Sequence, residues 1–311
     1  MPTALPGCTA EKTVTGNAFG SYYSIEYSGD AEPSEIRDFL ARLDEDFSAE
    51  GTGDIGRINR AAAGEAVTVA EHTFRALTLA FEISAATGGA FDPAAFPLTV
   101  LWRFSPSLYT GTGTSIPSED EIAAALEISG TEHFMLDAEN MTVTKLTEGA
   151  MLDLGAIGKG FAADAVWDMT RGGVVDIGAT FRLGESVKMY IQNPRGSDYV
   201  AEATISDIAV STSGDYQRFY TVNGKRIHHI IARDGYPSGF FSDTPVISVT
   251  VTGASAAVCD ALSTAFMVTG YTPEAVSIAA EYGVSALMFT EAGYYEIGDP
   301  PFEVVFGEKL N

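Results

Sequence analysis

The chain is short of the features that mark membrane-spanning, disulfide-rich and nucleic-acid-binding proteins. No apolar run approaches the roughly 18 to 20 residues that a helix needs to cross a bilayer. Two cysteines, Cys8 and Cys259, cannot make a disulfide framework in a chain of 311 residues. Basic residues number only 18 against 42 acidic ones, which gives a formal charge of -24. Because so negative a surface repels phosphate backbones, we expect no nucleic-acid partner.

Apolar residues, in contrast, are plentiful enough for a large core. They make up 46% of the chain, and charged residues only 19%, a balance that argues against disorder. Helix and strand patterns are interleaved without a regular βαβ repeat, and we find neither a linker nor an internal repeat. The sequence therefore predicts an α+β fold, a single domain of mixed sheets and helices over residues 17–311, after a flexible leader at residues 1–16.

The leader contains a cysteine in a suggestive context. Leu5 to Cys8 resembles the end of a bacterial lipoprotein signal, although only seven residues precede the cysteine, too few for a signal peptide. If a signal lies upstream, we expect an extracytoplasmic protein with a lipid anchor to the bacterial cell membrane at Cys8. If no signal lies upstream, the match is accidental and we expect a cytoplasmic protein.

Hydrophobic periodicity places the main elements along the domain. Helices are predicted at residues 34–47, 70–87, 159–169, 254–268 and 273–281. A further short helix is predicted to begin at Ser118, because Ser118 and Glu121 form a capping-box pattern. Strands are predicted at residues 17–27, 134–136, 141–145 and 246–252, and over most of residues 174–231.

The most informative local pattern consists of Asp260, Ser263 and Thr264. In a helix these positions are i, i+3 and i+4, so their side chains share one face. A carboxylate beside two hydroxyls is an all-oxygen cluster that suits Mg²⁺, which prefers few protein ligands together with water and substrate phosphates. The alternative is a helix start, at which such side chains cap free N–H groups. Cys259 lies in the same apolar stretch and is expected to be a small buried hydrophobe.

A second pattern is the glycine-rich segment from Asp153 to Gly160, in which a lysine, Lys159, opens a predicted helix. Glycines let a ligand approach the backbone, and free N–H groups at a helix start favour anions. The segment is not a Walker loop. Only two residues separate Gly155 from Gly158, and a glycine follows the lysine where Ser or Thr is required.

The third pattern is the histidine pair His228 and His229. Neighbouring side chains of a strand point to opposite faces, so only one of the two can face a given pocket. A two-histidine zinc site is therefore not expected, and cysteine ligands at zinc-site spacing are missing. One buried and one exposed histidine at a sheet edge is the alternative. The chain also lacks the G-x-S-x-G elbow of serine hydrolases and a Rossmann fingerprint.

Together and in this order, the segments resemble the FAD:protein FMN transferase family of bacteria. The resemblance extends from about Asn17 to Phe289. It is most specific at residues 153–160 (Asp-Leu-Gly-Ala-Ile-Gly-Lys-Gly), 213–216 (Ser-Gly-Asp-Tyr), 228–231 (His-His-Ile-Ile) and 260–265 (Asp-Ala-Leu-Ser-Thr-Ala). The segment at residues 90–92 (Ala-Phe-Asp) also fits. Several motifs in order carry more weight than any one of them.

The resemblance implies an α+β fold in which FAD lies in a groove beside a bound Mg²⁺. The metal ligands that it implies are Asp260, Ser263, Thr264 and the backbone carbonyl of Ala156. The FAD contacts that it implies are Phe19, Ala90, Phe91, Asp92, Asp153, Lys159 and Ile231. Catalytic roles are implied for His229 and Asp260.

The activity that the resemblance implies is Mg²⁺-dependent transfer of FMN from FAD to a threonine hydroxyl of an acceptor protein, with release of AMP. The acceptor is expected to be a subunit of a membrane redox complex. Two alternatives remain open: an Mg²⁺-dependent FAD pyrophosphatase, which makes FMN and AMP, and a non-catalytic flavin-binding lipoprotein. The intact metal pattern favours the enzymes. Departures in the flavin groove, such as Phe19 where the family usually has methionine, leave room for the third.

Overall fold

The structure is a computed structural model that describes residues 11–113 and 115–310. Cys8 and its predicted lipid anchor lie outside these residues. The largest element is an eight-stranded sheet in which all neighbouring strands are antiparallel. In spatial order its strands are β1 (Lys12–Ala18), β2 (Ser21–Tyr27), β6 (Val174–Ile177), β7 (Thr180–Leu183), β10 (Ile208–Gly214), β13 (Val246–Gly253), β14 (Ser285–Thr290) and β15 (Gly293–Ile297).

The N-terminal prediction is wrong in two respects, because residues 17–27 form parts of two strands. β1 and β2 make a hairpin in which Ala18 pairs with Ser21. The turn between them consists of Phe19 and Gly20, whose φ angles are +54° and +67°. Gly20 adopts this left-handed backbone without a Cβ penalty, whereas Phe19 does so at a cost. Since β1 begins at Lys12, the predicted leader boundary at residue 16 is also wrong.

Helices pack on one face of the large sheet. Along β14, the side chains of Ala286 and Met288 lie in the same core as Leu262, which belongs to the helical layer. The α-helices of the described residues are α1 (Pro33–Phe47), α2 (Asp54–Arg60), α3 (Glu71–Ala86), α4 (Phe96–Leu101), α5 (Glu119–Leu126), α6 (Gly158–Thr170), α7 (Ala256–Thr269) and α8 (Pro273–Tyr282). Within the described part of the chain, none of these helices is long and apolar enough to span a bilayer.

The long periodic helices and the short helix α5 were predicted correctly, whereas α2 and α4 were missed. The predictions at residues 70–87, 159–169, 254–268 and 273–281 correspond to α3, α6, α7 and α8. The capping box of Ser118 and Glu121 is confirmed at the start of α5. Helix α1 is capped by Glu32, which forms a capping box with Glu35, and not by Ser34. Helices α2 and α4 were missed because segments of six or seven residues are too short to show a helical period.

A smaller sheet covers part of the opposite face of the large sheet. There the alternation along β14 turns Leu287 and Phe289 towards a second core, which contains Ile191 and Val200. The strands of this sheet are β16 (Glu303–Val304), β9 (Tyr199–Ile205) and β8 (Val187–Gln192), in that spatial order. The large sheet is therefore buried on its helical face and partly covered on the other.

Two further units complete the fold. A three-stranded sheet consists of β3 (Ala66–Thr68), β5 (Thr142–Lys145) and β4 (Phe134–Asp137), the last two close to their predicted positions. A hairpin of β11 (Phe219–Val222) and β12 (Lys225–His228) packs through Tyr220 against Trp102 and Phe104, in a third core. This third core places the histidine pair beside the residues that follow α4.

Candidate active site

Asp260 lies in the interior of α7, on the face that meets the large sheet. The helix begins at Ala256 and is capped by Ser255, whose hydroxyl accepts a hydrogen bond from the N–H of Val258 at 3.2 Å. Asp260 is therefore too far along the helix to cap its free N–H groups, and the capping interpretation is wrong. Its exposed fraction is 3%, so the carboxylate depends on protein partners.

Four donors surround the Asp260 carboxylate. Oδ1 accepts hydrogen bonds from Ser211 Oγ at 2.9 Å and from Thr180 Oγ1 at 3.4 Å. These two hydroxyls meet because the register of β7 and β10 pairs Thr180 with Ser211. Oδ2 accepts from the N–H of Gly160 at 3.1 Å and lies 3.5 Å from Lys159 Nζ. The carboxylate is thus fixed by two strands and by the start of α6.

The two hydroxyls predicted on the same helix face lie beside a third from β10. Ser213 Oγ is 2.7 Å from Ser263 Oγ and 3.2 Å from Thr264 Oγ1. Ser263 also donates to the backbone carbonyl of Asp260 at 2.8 Å. We refer to Asp260, Ser263 and Thr264, with Thr180, Ser211 and Ser213, as the Asp260 cluster.

The turn before α6 is held in place by its own acid and by neighbouring chain. Asp153 Oδ1 accepts from the N–H of Gly155 at 2.8 Å, and the Asp153 N–H donates to the carbonyl of Pro93 at 2.7 Å. Residues 146–157, which lead into and form this turn, contain no strand. Gly160 is required where α6 crosses α7, because a Cβ there would lie 2.2 Å from the carbonyl oxygen of Ala256.

Lys159 connects the turn to the Asp260 cluster. Its ammonium lies 3.4 Å from the carbonyl oxygen of Gly155 and 3.5 Å from Asp260 Oδ2. Ala156 lies between these groups in sequence, half-buried in the same turn. Burial raises the pKa of Asp153, and the charges of Arg218 and Lys159 counteract that rise. Two acids and at least two cations therefore meet at the start of α6.

Asp92 lies on the segment that accepts the hydrogen bond from Asp153. Burial raises the pKa of Asp92 to about 6, against an ordinary value of 3.8. Within the described residues, its carboxylate accepts one hydrogen bond, from the N–H of Ala94 at 2.8 Å. The neighbouring Ala90 and Phe91 are buried in the main core, with exposed fractions of 5% and 1%. As predicted FAD contacts, those two residues can present only backbone groups.

The turn between β1 and β2 faces the start of α6. The Phe19 N–H donates to Asp44 Oδ1 at 2.8 Å, and its ring centroid lies 6.4 Å from that of Phe47. A Cβ at Gly158 would lie 3.3 Å from the Phe47 ring and 3.9 Å from the Phe19 ring. Phe19 is half-buried and adjoins the glycine-rich turn, as its predicted role as a flavin contact requires.

The histidine pair ends β12, and its two members differ in burial. His228 is buried, and its Nε2 lies 2.9 Å from the carbonyl oxygen of Ser238. His229 is half-buried, with Nδ1 3.3 Å from the carbonyl oxygen of Arg218. Burial, followed by the charges of His228, Arg218 and Lys159, lowers the pKa of His229 to about 3. His229 is therefore neutral at pH 7, and it carries its proton on Nδ1 because a carbonyl can only accept.

The Asp260 cluster fits a hard divalent cation better than the other acidic group nearby. It offers one carboxylate with several hydroxyls, the oxygen donors that Mg²⁺ prefers. Among the described residues, Asp46, Asp54 and His72 also bring possible ligand atoms within 4.8 Å of one another.

That second group is already occupied by protein contacts. His72 Nε2 lies 2.8 Å from Asp46 Oδ2. Asp54 is paired with Arg57 and accepts from the N–H of Ala70 at 2.8 Å. These contacts join α1, α2 and the start of α3, which gives the group a structural role.

A family model described as the ApbE family matches residues 19–288. The chain belongs to the ApbE family. The FAD:protein FMN transferase of Vibrio cholerae serotype O1 is 29% identical over 325 residues, which cover 96% of this chain and 95% of that protein. The solved ApbE protein of Thermotoga maritima has a TM-score of 0.80 at 28% identity, over 95% of this chain and 97% of its own. The flavin transferase ApbE of Vibrio cholerae has a TM-score of 0.78 at 27% identity, over 92% and 96%.

The ApbE match confirms the family and the α+β fold predicted from the sequence. Within this ApbE chain, Asp153, Lys159 and Asp260 come together as the motifs predicted, with Ser263 and Thr264 on the same helix face. Ile231 belongs to a different packing cluster. It is half-buried, packs against the third core and forms an isolated β-bridge with Pro237. The ligand roles of these residues stay predictions.

Three residues of the ApbE site escaped the reading of the sequence. Thr180 and Ser211 hold Asp260, and Arg218 adds a cation beside Asp153 and His229. A signal for Ser211 existed, because Ser211 and Ser213 alternate on β10 and so share one face of the strand. Thr180 and Arg218 carry no such signal, since only the folded chain brings them to the site.

Proposed function

We propose that this ApbE-family protein is an enzyme that transfers FMN from FAD to a threonine hydroxyl of an acceptor protein and releases AMP. The observation that carries the proposal is the buried Asp260 carboxylate, held by Ser211 and Gly160 with Lys159 at 3.5 Å. A protein with a net charge of -24 needs local positive charge to hold a diphosphate. Lys159 supplies part of that charge, and the oxygen donors of the cluster suit a cation that supplies more.

Asp260, Ser263, Thr264 and the backbone carbonyl of Ala156 would hold Mg²⁺. When bound, the ion neutralises charge on the diphosphate of FAD and on the departing phosphate. The protein fixes the carboxylate beforehand through Thr180 and Ser211, so that its orientation does not depend on the ligand. Lys159 adds a positive charge at the same place.

The proposed transfer is a substitution at the phosphorus of the FMN half of FAD. The threonine oxygen forms a bond to that phosphorus while the bond between the phosphorus and the bridging oxygen breaks. AMP departs with the bridging oxygen and its electron pair, and the threonine proton passes to a base. The products are the FMN-bearing acceptor and AMP, so no oxidant or reductant is needed.

His229 is the better of the two predicted bases. Its Nδ1 proton is directed at the carbonyl oxygen of Arg218, which leaves the Nε2 lone pair free to accept a proton. A pKa of about 3 makes it a weaker base than one matched to neutral pH. An anionic ligand nearby would raise that pKa by stabilising the imidazolium. Asp260 is assigned to the metal first, because a metal-bound carboxylate is a poor base.

Incubation with FAD, Mg²⁺ and a candidate acceptor tests the proposal. Transfer gives AMP together with an FMN mass adduct on the acceptor, and replacing the acceptor threonine with alanine removes the adduct. AMP and free FMN without an adduct would identify the pyrophosphatase alternative. Absence of AMP under all these conditions would contradict both enzymatic functions and leave flavin binding alone.

We propose further that the acceptor is a subunit of a membrane redox complex and that the enzyme works outside the cytoplasmic membrane, anchored through Cys8. The support is the lipoprotein-like segment from Leu5 to Cys8 and the sequence resemblance. Natively expressed full-length protein should sediment with membranes, and Cys8→Ala should release it. A gene that encodes no signal upstream of Met1 would contradict this location.

A further inference from the structure

Arg218 contacts two neighbouring segments, one through its backbone carbonyl and one through its side chain. It follows β10 and immediately precedes β11, and its carbonyl oxygen accepts hydrogen bonds from the N–H of His229 at 3.2 Å and from His229 Nδ1 at 3.3 Å. The backbone is therefore tied to the histidine. The residue itself is exposed, so its side chain is not needed to fill the core.

The guanidinium of Arg218 reaches the turn between β1 and β2. Its Nη2 lies 3.5 Å from the position that a Cβ on Gly20 would take. The left-handed φ of +67° explains a glycine at this position, and the bare backbone leaves space around the guanidinium. Arg218 thus extends from the histidine hairpin to the hairpin that carries Phe19.

The charge of Arg218 acts on the same two groups as the charge of Lys159. After the larger effect of burial, both cations lower the pKa of Asp153. Both also lower the pKa of His229, again after the larger effect of burial. Both cations are therefore close enough to Asp153 and His229 for their charges to act on them.

The guanidinium of Arg218 has no acidic partner among the described residues. Among residues 11–113 and 115–310, no carboxylate oxygen lies within 4.0 Å of its guanidinium. Arg195, by contrast, makes a bidentate pair with Asp215 at 2.7 Å. In a chain with more than twice as many acidic as basic residues, an exposed guanidinium without a carboxylate beside it is available to an anionic ligand.

We propose that Arg218 binds a phosphate of the flavin nucleotide, as a second cation beside Lys159. A guanidinium is a planar fork of donors that fits two phosphate oxygens, whereas the Lys159 ammonium acts as a point charge. The inference rests on the proposed function, since that function makes a phosphorylated flavin the substrate. It assigns to Arg218 a share of substrate binding and leaves the hydrogen bond to His229 to the Arg218 backbone.

This separation of side chain and backbone makes the inference testable. Arg218→Gln removes the guanidinium and keeps the carbonyl that orients His229. Arg42→Gln is the matched control, because Arg42 is an exposed arginine on α1 and its loss changes the net charge equally. The affinities of both variants and of the wild type for FAD, FMN and riboflavin are measured by flavin fluorescence, with Mg²⁺ present.

The expected result is a loss of affinity that follows the phosphate. Arg218→Gln should bind FAD and FMN about tenfold more weakly, the usual scale for a hydrogen bond to a charged group. Riboflavin, which has no phosphate, should bind equally well to both proteins. The affinity of Arg218→Lys for FAD and FMN should lie between those of the wild type and Arg218→Gln, because lysine keeps the charge and loses the planar fork of donors. Arg42→Gln should match the wild type for all three flavins.

Two results would overturn the inference without touching the proposed function. One is equal FAD affinity in the wild type and Arg218→Gln. The other is an equal loss for riboflavin, which would assign Arg218 to the flavin ring or to the local fold. A wild-type protein that binds no FAD at all would overturn the proposed function and the inference together.

Discussion

The Asp260 cluster and the groups at its edge are built differently. In the cluster, both carboxylate oxygens of Asp260 have donors, and the donors come from β7, β10 and α6. At the edge, Arg218 is exposed with its guanidinium near Gly20, and the side chain of the half-buried His229 makes one hydrogen bond within the described residues, to the Arg218 carbonyl. The side chains of the first region are held in place by protein hydrogen bonds, whereas the second region has polar groups that a ligand can bind.

The difference explains where this chain departs from its family pattern. A buried carboxylate with several donors tolerates little change, since removal of one partner leaves others desolvated without a hydrogen bond. The motif around Asp260 is accordingly complete. Phe19, where the family usually has methionine, lies on a half-buried turn whose contacts are mainly with Phe47. An apolar side chain of another shape can be accommodated there.

If the two regions differ in this way, the buried Asp260 carboxylate cannot be removed without loss of activity. Asp260→Ala should lower FAD turnover by about a thousandfold or more, because the variant would lack the charged ligand of the proposed Mg²⁺ site, worth several kcal/mol. Asp260→Asn should be nearly as inactive while it keeps the packing, because its amide oxygen can still accept from the N–H of Gly160 and its amide NH2 can donate to the hydroxyl of Ser211. Turnover is measured as AMP release, and folding by thermal unfolding of each variant.

Asp176→Ala is the control for that experiment. Asp176 also lies on the large sheet, but it faces a groove lined by Val174 and Met189 on the side away from the helices. Its loss should leave turnover near the wild-type rate. Full activity of Asp260→Asn, or of the wild type in excess chelator, would contradict the metal role of Asp260.

The sequence predicts only the members of the Asp260 cluster that lie on one helix. Asp260, Ser263 and Thr264 are i, i+3 and i+4 on α7, so a helical period alone brings them together. Thr180 and Ser211 are 80 and 49 residues away from Asp260 along the chain, and they reach it through the register of β7 with β10. Strand register between distant segments is set by the whole sheet, which a local pattern does not contain.

Lys159 belongs to both the Asp260 cluster and the groups at its edge. Its ammonium is close to Asp260, and its charge also acts on His229. Lys159→Ala should weaken FAD binding about ten- to a hundredfold, since a hydrogen bond to a charged group is worth roughly 1.5 to 3 kcal/mol. Titration of flavin fluorescence measures the affinity. Lys188→Ala, which removes an exposed lysine paired with Glu202 on the smaller sheet, should bind FAD normally.

Equal FAD affinity of Lys159→Ala and the wild type would place this lysine outside the substrate site. In that event its role would be to neutralise the buried Asp260. Loss of thermal stability without loss of affinity would be the signature of that structural role, because Asp260 would remain buried with one charge fewer beside it.

The same distinction separates what was predictable in the fold. Long segments with a clear period, such as α3 and α7, were placed within about two residues, as boundaries read from sequence allow. The hairpin of β1 and β2 was read as one strand, because its turn is only Phe19 and Gly20 between two alternating segments. A Gly at the second turn position was the available signal, and the aromatic residue before it obscured the turn.

Asp92 tests whether the number of hydrogen-bond donors decides how well a carboxylate in this protein is stabilised. Asp260 has four, whereas Asp92 has the N–H of Ala94, and burial raises its pKa to about 6. The folded protein therefore holds a proton that the unfolded chain releases between about pH 4 and 6, so this group's contribution to stability falls across that window and stays low above it. Asp92→Asn removes the ionisable group and can still accept from Ala94. At pH 7 it should raise the free energy of unfolding by on the order of 1 kcal/mol, below the roughly 3 kcal/mol that two pKa units imply, because the side chain is only half-buried. At pH 4 the gain should vanish.

Denaturant unfolding at both pH values measures the free energy of unfolding, with Asp38→Asn on the exposed face of α1 as the control. A variant that is equally stable to the wild type at pH 7, or more stable than it at pH 4 alone, would show that the Asp92 carboxylate is as well satisfied as that of Asp260.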